Sequence, residues 1–122
     1  MANAVNWFEI PVTQFERAQR FYATVLGREV PLWEMNGMKM GMLMDGQEGV
    51  GGSIIQFEGA EPSKTGTLVY LNGGEDLSVM LSRVEAAGGK VTMPKTQITP
   101  EIGYMAVFED CEGNRVAFHS PK

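Results

Sequence analysis

The chain has 122 residues, enough for one domain with a sizeable core, and its 43% apolar and 20% charged composition is that of an ordinary soluble globular protein. A net charge of −5 and a pI near 4.8 argue against nucleic acid and anionic membrane as partners, because both attract clustered Lys and Arg. No stretch approaches the roughly 18 apolar residues of a membrane span. The N-terminus lacks the pattern of a signal peptide. The single cysteine, Cys111, excludes an internal disulfide, so the expected setting is cytoplasmic.

In chain order, residues 6–12 read as a strand, with Phe8, Ile10 and Val12 on one face and Trp7 and Glu9 on the other. Pro11, near its end, is tolerable at a sheet edge. Thr13-Gln-Phe-Glu16 has the pattern of a capping box, in which Thr13 caps the third helical N–H and Glu16 reaches back. Phe15, Ala18, Phe21, Tyr22, Val25 and Leu26 recur at helical spacing, and Gly27 supplies a left-handed stop. Strands at 29–35 and 38–44 flank Asn36-Gly37, the pair favoured by a type I′ hairpin because both residues need positive φ. Met38, Met40, Met42 and Met44 share one strand face. They suit either an adaptable ligand surface or the core, and the core is the expectation. A Gly-rich turn at 45–52 and a strand at 53–58 complete the first half.

A polar, broken linker at 61–66 leads to a strand at 67–72. Leu77, Met80, Leu81 and Val84 mark a second amphipathic helix, capped by Asn72 or Asp76 and ended by Gly88-Gly89. A strand at 90–93, an irregular loop at 94–103 and strands at 104–109 and 114–120 follow. The two halves nearly repeat each other. Gly27 and Gly89 stand 62 residues apart, and Glu48-Gly49 and Glu112-Gly113 stand 64 apart. The predicted fold is α+β: two tandem βαβββ modules, 1–60 and 67–122, in one domain spanning 1–122. Each module alone leaves one sheet face bare, so the pair should enclose a cleft with the helices outside.

The order, spacing and duplication of three segments resemble the vicinal oxygen chelate superfamily, which includes glyoxalase I, bleomycin-resistance proteins and extradiol dioxygenases. These segments run from Phe8 to Gly27, from Val84 to Val91, and from Gly103 through Glu112-Gly113-Asn114 to His119. The resemblance implies the fold and a homodimer. It does not imply one activity, because this fold hosts many. Metal-dependent members place a His, Gln or Glu ligand on the first and last strand of each module. By that resemblance the positions fall on Trp7, on one of Thr67, Leu68, Val69 or Tyr70, on Ala117, and on one of Ile54, Ile55 or Gln56. Only Gln56 could coordinate, so no metal and no other cofactor is expected.

The candidate site residues are therefore ligand-facing side chains. His119 is the chain's single histidine, the side-chain type suited to proton transfer near neutral pH, and is a hydrogen-bond partner or general base if it shares the cleft face with Ala117. Glu9, beside Trp7, is the other candidate base, since burial next to an indole raises a carboxylate pKa. Trp7, Tyr70 and Tyr104 can stack on a planar ligand. The Gly-rich stretches lack the P-loop Lys-Ser/Thr ending and a full dinucleotide fingerprint. The reading that results is a metal-free protein binding small, partly apolar or aromatic molecules among Trp7, Glu9, Tyr70, Tyr104 and His119. The alternative is a glyoxalase-like isomerase or lyase, related to lactoylglutathione lyase, using a divalent metal and Glu9 or His119 as base.

Overall fold

The structure, a computed structural model, describes residues 3–46 and 48–122; Gln47, in the predicted turn at 45–52, lies outside the described residues. The order is β1 (Trp7–Pro11), α1 (Phe15–Leu26), β2 (Leu32–Met35), β3 (Met38–Met42), β4 (Gly51–Gln56), β5 (Val69–Asn72), α2 (Ser78–Leu81), β6 (Lys90–Thr99), β7 (Gly103–Glu109) and β8 (Arg115–Ser120). They form two four-stranded sheets, β1-β4-β3-β2 and β5-β8-β7-β6. In each, the first strand of a half lies parallel to its last strand, and the remaining pairs are antiparallel.

Alternation decides which face of each strand is buried. Ile10 and Ile54 from the first sheet, and Leu71, Phe108, Val116 and Phe118 from the second, join Phe15, Phe21, Tyr22 and Val25 of α1 in one hydrophobic cluster. The Phe108 and Phe118 rings lie 4.9 Å apart, and Phe21 reaches Phe108 at 6.2 Å. The first helix thus packs against residues of both halves. Asn36 and Gly37 hold φ of 49° and 79°, as the predicted hairpin turn requires. Gly27 ends α1 at φ 74°, with its N–H bonded to the Ala23 carbonyl.

Four expectations need correction. The capping box does not form. Glu112, 99 residues away from Thr13, accepts from Thr13 N (2.9 Å), Thr13 Oγ1 (2.7 Å) and Gln14 N (2.8 Å), while Glu16 turns outward to Lys39 at 3.1 Å. The methionine stripe is not core. Met40 and Met42 lie across from Ile55 and Ser53 on the face turned away from the helices, and Met38, Met40 and Met42 stay outside the main cluster. Gly41 takes the helix-facing position of that strand, where a Cβ would stand 2.8 Å from Val30 Cγ1. The predicted loop at 94–103 is mostly the far end of β6, a ten-residue strand whose register shifts at Val91/Met93, Met93/Thr96 and Gln97/Thr99 hide its alternation. The second helix is regular only from Ser78 to Leu81. Arg83 and Val84 then donate to carbonyls three residues back, and tight turns lead to Gly88. Of its two predicted caps, Asp76 accepts from Ser78 N, and Asn72 accepts from Gly74 N instead.

Candidate functional site

The turn between β7 and β8 ties the two halves together. Tyr22, fully buried, donates to Asp110 Oδ2 at 2.7 Å. Asn114 Nδ2 donates to both Asp110 Oδ2 and the Pro11 carbonyl, and its Oδ1 accepts from Ser63 N. Burial, reinforced by the Asp110 carboxylate, pushes the Tyr22 hydroxyl well above the usual phenol range. Glu112 has a side chain only 2% exposed and also pairs with Arg17 at 3.0 Å. Burial alone would raise its pKa, but hydrogen bonds from Thr13, Gln14 and Arg17 outweigh it and hold the carboxyl below its ordinary value. Cys111, in the same turn, is pushed up to about 11 by burial and by Asp110, with Arg17 opposing, so its thiol stays protonated at neutral pH.

With the halves held this way, β1 and β5, each an edge strand of its own sheet, flank a cleft of about 780 Å³. Trp7, Phe8 and Val50 line it from the first half and Leu68, Tyr70 and Leu71 from the second. Trp7 is 38% exposed and Tyr70 48%, so both offer ring surface to solvent or to a ligand. Arg28, Asp45 and Glu48 are the charged members of the described lining. Because β1 and β5 pair on one side only, their outer backbone groups add polar partners along the walls.

The structure brings together two of the five predicted ligand residues, Trp7 and Tyr70. Glu9 is exposed on the same sheet face as Trp7, across from Ser53, but does not line the cleft. His119 lies across from Asn72 on the face shared with Ala117, and its Nε2 donates to the Ile102 carbonyl at 2.7 Å. Tyr104 turns to the helix-backed face, packs against the core and receives Lys95 Nζ over its ring at 4.7 Å. That face follows from register. Tyr104 stands opposite Ser120, one position out of phase with His119.

The register also locates the four ligand positions that the resemblance implies. Ala117 lies four residues beyond Gly113; four beyond the corresponding Gly49 stands Ser53, and Gly113 and Gly49 share a positive φ. Ser53 faces Glu9 two residues past Trp7, and Ala117 faces Tyr70 two residues past Leu68. The set is therefore Trp7, Ser53, Leu68 and Ala117. Gln56 drops out, since its Oε1 accepts from Phe15 N at 2.6 Å on the helix side. An indole, a hydroxyl, an isobutyl and a methyl group do not fit a divalent ion. Among the described residues no group of three or more His, Cys, Asp or Glu could hold one. Ser53 Oγ is fully buried and has no partner among the described residues. Sequence spacing alone could have pointed to Ser53 by matching the two Glu-Gly turns. Arg28 gave no such signal, because its place at the cleft depends on its long-range hydrogen bond to the Leu43 carbonyl.

The arrangement matches known proteins. The Glyoxalase/Bleomycin resistance protein/Dioxygenase superfamily model matches residues 4–118, and the chain belongs to that superfamily. A glyoxylase-like domain-containing protein of Didymella fabae is 28% identical over 118 residues, covering 90% of this chain and 88% of its own. A glyoxalase/bleomycin resistance protein of Streptomyces sp. CB03234 superposes with a TM-score of 0.66 at 23% identity, over 93% of this chain and 97% of that one. Glyoxalase I of Zea mays superposes with a TM-score of 0.69 at 14% identity, over 94% of this chain but 43% of the maize chain. At these identities the two superpositions speak for the fold.

Proposed function

We propose that this protein binds a small, partly apolar or aromatic molecule without a metal, in the manner of the metal-free branch of its superfamily. One observation carries the reading: the cleft is walled by Trp7, Tyr70 and aliphatic side chains, while the four ligand positions that the resemblance implies carry Trp7, Ser53, Leu68 and Ala117. An apolar pocket with a few placed polar groups is the general form of a small-ligand site. Its volume accommodates a molecule of one or two fused rings. The reading includes a homodimer. β2 is an outer strand, and Trp33 and Met35 on it are exposed beside the methionine face of β3, an apolar patch that a second copy would cover.

Trp7 is one of only two tryptophans in the chain. The W33F variant therefore makes its emission a direct report from the cleft. Titration with a panel of small aromatic and cationic compounds should quench or shift this emission with a dissociation constant below about 1 mM for at least one class. A flat response to the whole panel, checked by calorimetry, sinks the reading.

A further inference from the structure

Arg28 is the only basic side chain among the described residues lining the cleft. Its backbone is fixed by the end of α1, where its N–H donates to the Ala23 carbonyl at 3.2 Å. Its Nη2 donates to the Leu43 carbonyl at 2.5 Å. Its Nε is buried with no partner among the described residues, and Arg28 enters none of the three ion pairs found there. Asp45 and Glu48 border the same cleft, but neither lies within ion-pair distance of it. A guanidinium half-buried beside Leu26 and Leu43, with one hydrogen bond shown for its five N–H donors, is a charge awaiting a partner. A carboxylate matches that planar donor fork in shape and charge. The two acidic side chains on the wall oppose a second or third negative charge, which disfavours di- and triphosphates.

Resting on the small-molecule reading above, we infer that the ligand is a flat aromatic monocarboxylate, its carboxylate held by Arg28 and its ring against Trp7 and Tyr70. The backbone edges of β1 and β5 take any remaining polar substituents. No covalent step is involved. Arg28 sets the chemical class, and the aromatic walls set the size.

The test compares 2-naphthoate with 2-naphthamide, which share ring and shape and differ in charge, by calorimetry on the wild-type protein and on R28M and R28K. Naphthoate should bind at least 10-fold tighter than the amide, and raised salt should weaken only the acid. R28M should lose 10- to 100-fold for naphthoate, about the range of a charge-assisted hydrogen bond, and leave the amide within about twofold. R28K should recover part of the loss, and thermal melts of all three proteins show whether the fold is retained. Equal binding of acid and amide by the wild-type protein overturns the carboxylate class while the cleft reading stands. Undiminished naphthoate affinity in a folded R28M overturns the role of Arg28. Binding of neither compound overturns the inference, and the compound panel followed through Trp7 emission then decides separately whether the cleft reading stands.

Discussion

Glu112 carries the join between the halves, and its removal has a calculable effect. The Glu112→Ala change strips the first turn of α1 of its acceptor for Thr13 N, Gln14 N and Thr13 Oγ1. Loss of a helix N-cap costs about 1 kcal/mol, and hydrogen bonds to a charged group contribute roughly 1.5–3 kcal/mol each before water replaces them at exposed donors. Arg17, 42% exposed, adds under about 1 kcal/mol. The sum is about 3 kcal/mol, and at roughly 3–5 °C per kcal/mol for a chain of this size the melting temperature should fall by about 10 °C. Glu112→Gln keeps one oxygen and should lose about half as much. The sign with pH follows from the lowered carboxyl pKa. The contribution is complete above the unfolded value, near 4.3, and disappears as pH falls through the folded value. The gap between wild type and Glu112→Gln should therefore narrow below about pH 4. Thermal melts by circular dichroism at pH 7 and pH 3.5 measure both effects. An alanine variant that melts within 2 °C of wild type at pH 7, or a gap that widens in acid, refutes this account of the join.

Other consequences follow from the same geometry. Gly41→Ala puts a methyl 2.8 Å from Val30 Cγ1 and 2.9 Å from Ile54 Cγ1, and urea unfolding should show a loss of about 1–3 kcal/mol from overpacking. Gly37→Ala has open space around the new methyl but a φ of 79°, so its smaller cost, about 1 kcal/mol, should come from the turn alone. Tyr22→Phe leaves Asp110 Oδ2 with Asn114 Nδ2 as a donor. The same unfolding assay should read about 1–2 kcal/mol of destabilisation, not complete unfolding. Cys111, pushed up to about 11, should be on the order of 0.1% thiolate at pH 8. Alkylation by iodoacetamide should be slow in the folded protein and speed up at least 10-fold in urea, and equal rates in both states would contradict the burial of this thiol.

Much of the frame was legible in local pattern. The helical spacing of Phe15 to Leu26 needs only its own neighbours, and so does the Asn36-Gly37 turn; both stand as predicted. The duplication at Glu48-Gly49 and Glu112-Gly113 reflects a shared turn geometry, with both glycines at positive φ, in the connections that join the antiparallel pairs β3–β4 and β7–β8. The misread parts depend on long-range partners. Thr13 and Glu16 satisfy a local capping rule, yet a buried carboxylate from the other half, itself held by Arg17, takes the Thr13 N–H that Glu16 would have accepted from, and the Thr13 hydroxyl with it. The methionines alternate as a core stripe would, but Gly41 lies on the helix side, where Val30 and Ile54 pack too close for a side chain. The phase of β7, and with it the face of Tyr104, is set by pairing with β8. In the site, Trp7 and Tyr70 line the cleft because each lies on an edge strand that flanks it. Arg28 was missed because it reaches the cleft from beyond the end of a helix.

The central claim is that the cleft works without a metal. Calorimetric titration of the protein before and after exhaustive chelator treatment, with 2-naphthoate as ligand, tests it most directly. The account predicts the same dissociation constant, below about 1 mM, in both preparations. Binding that vanishes with chelator and returns with a stoichiometric divalent ion would contradict it.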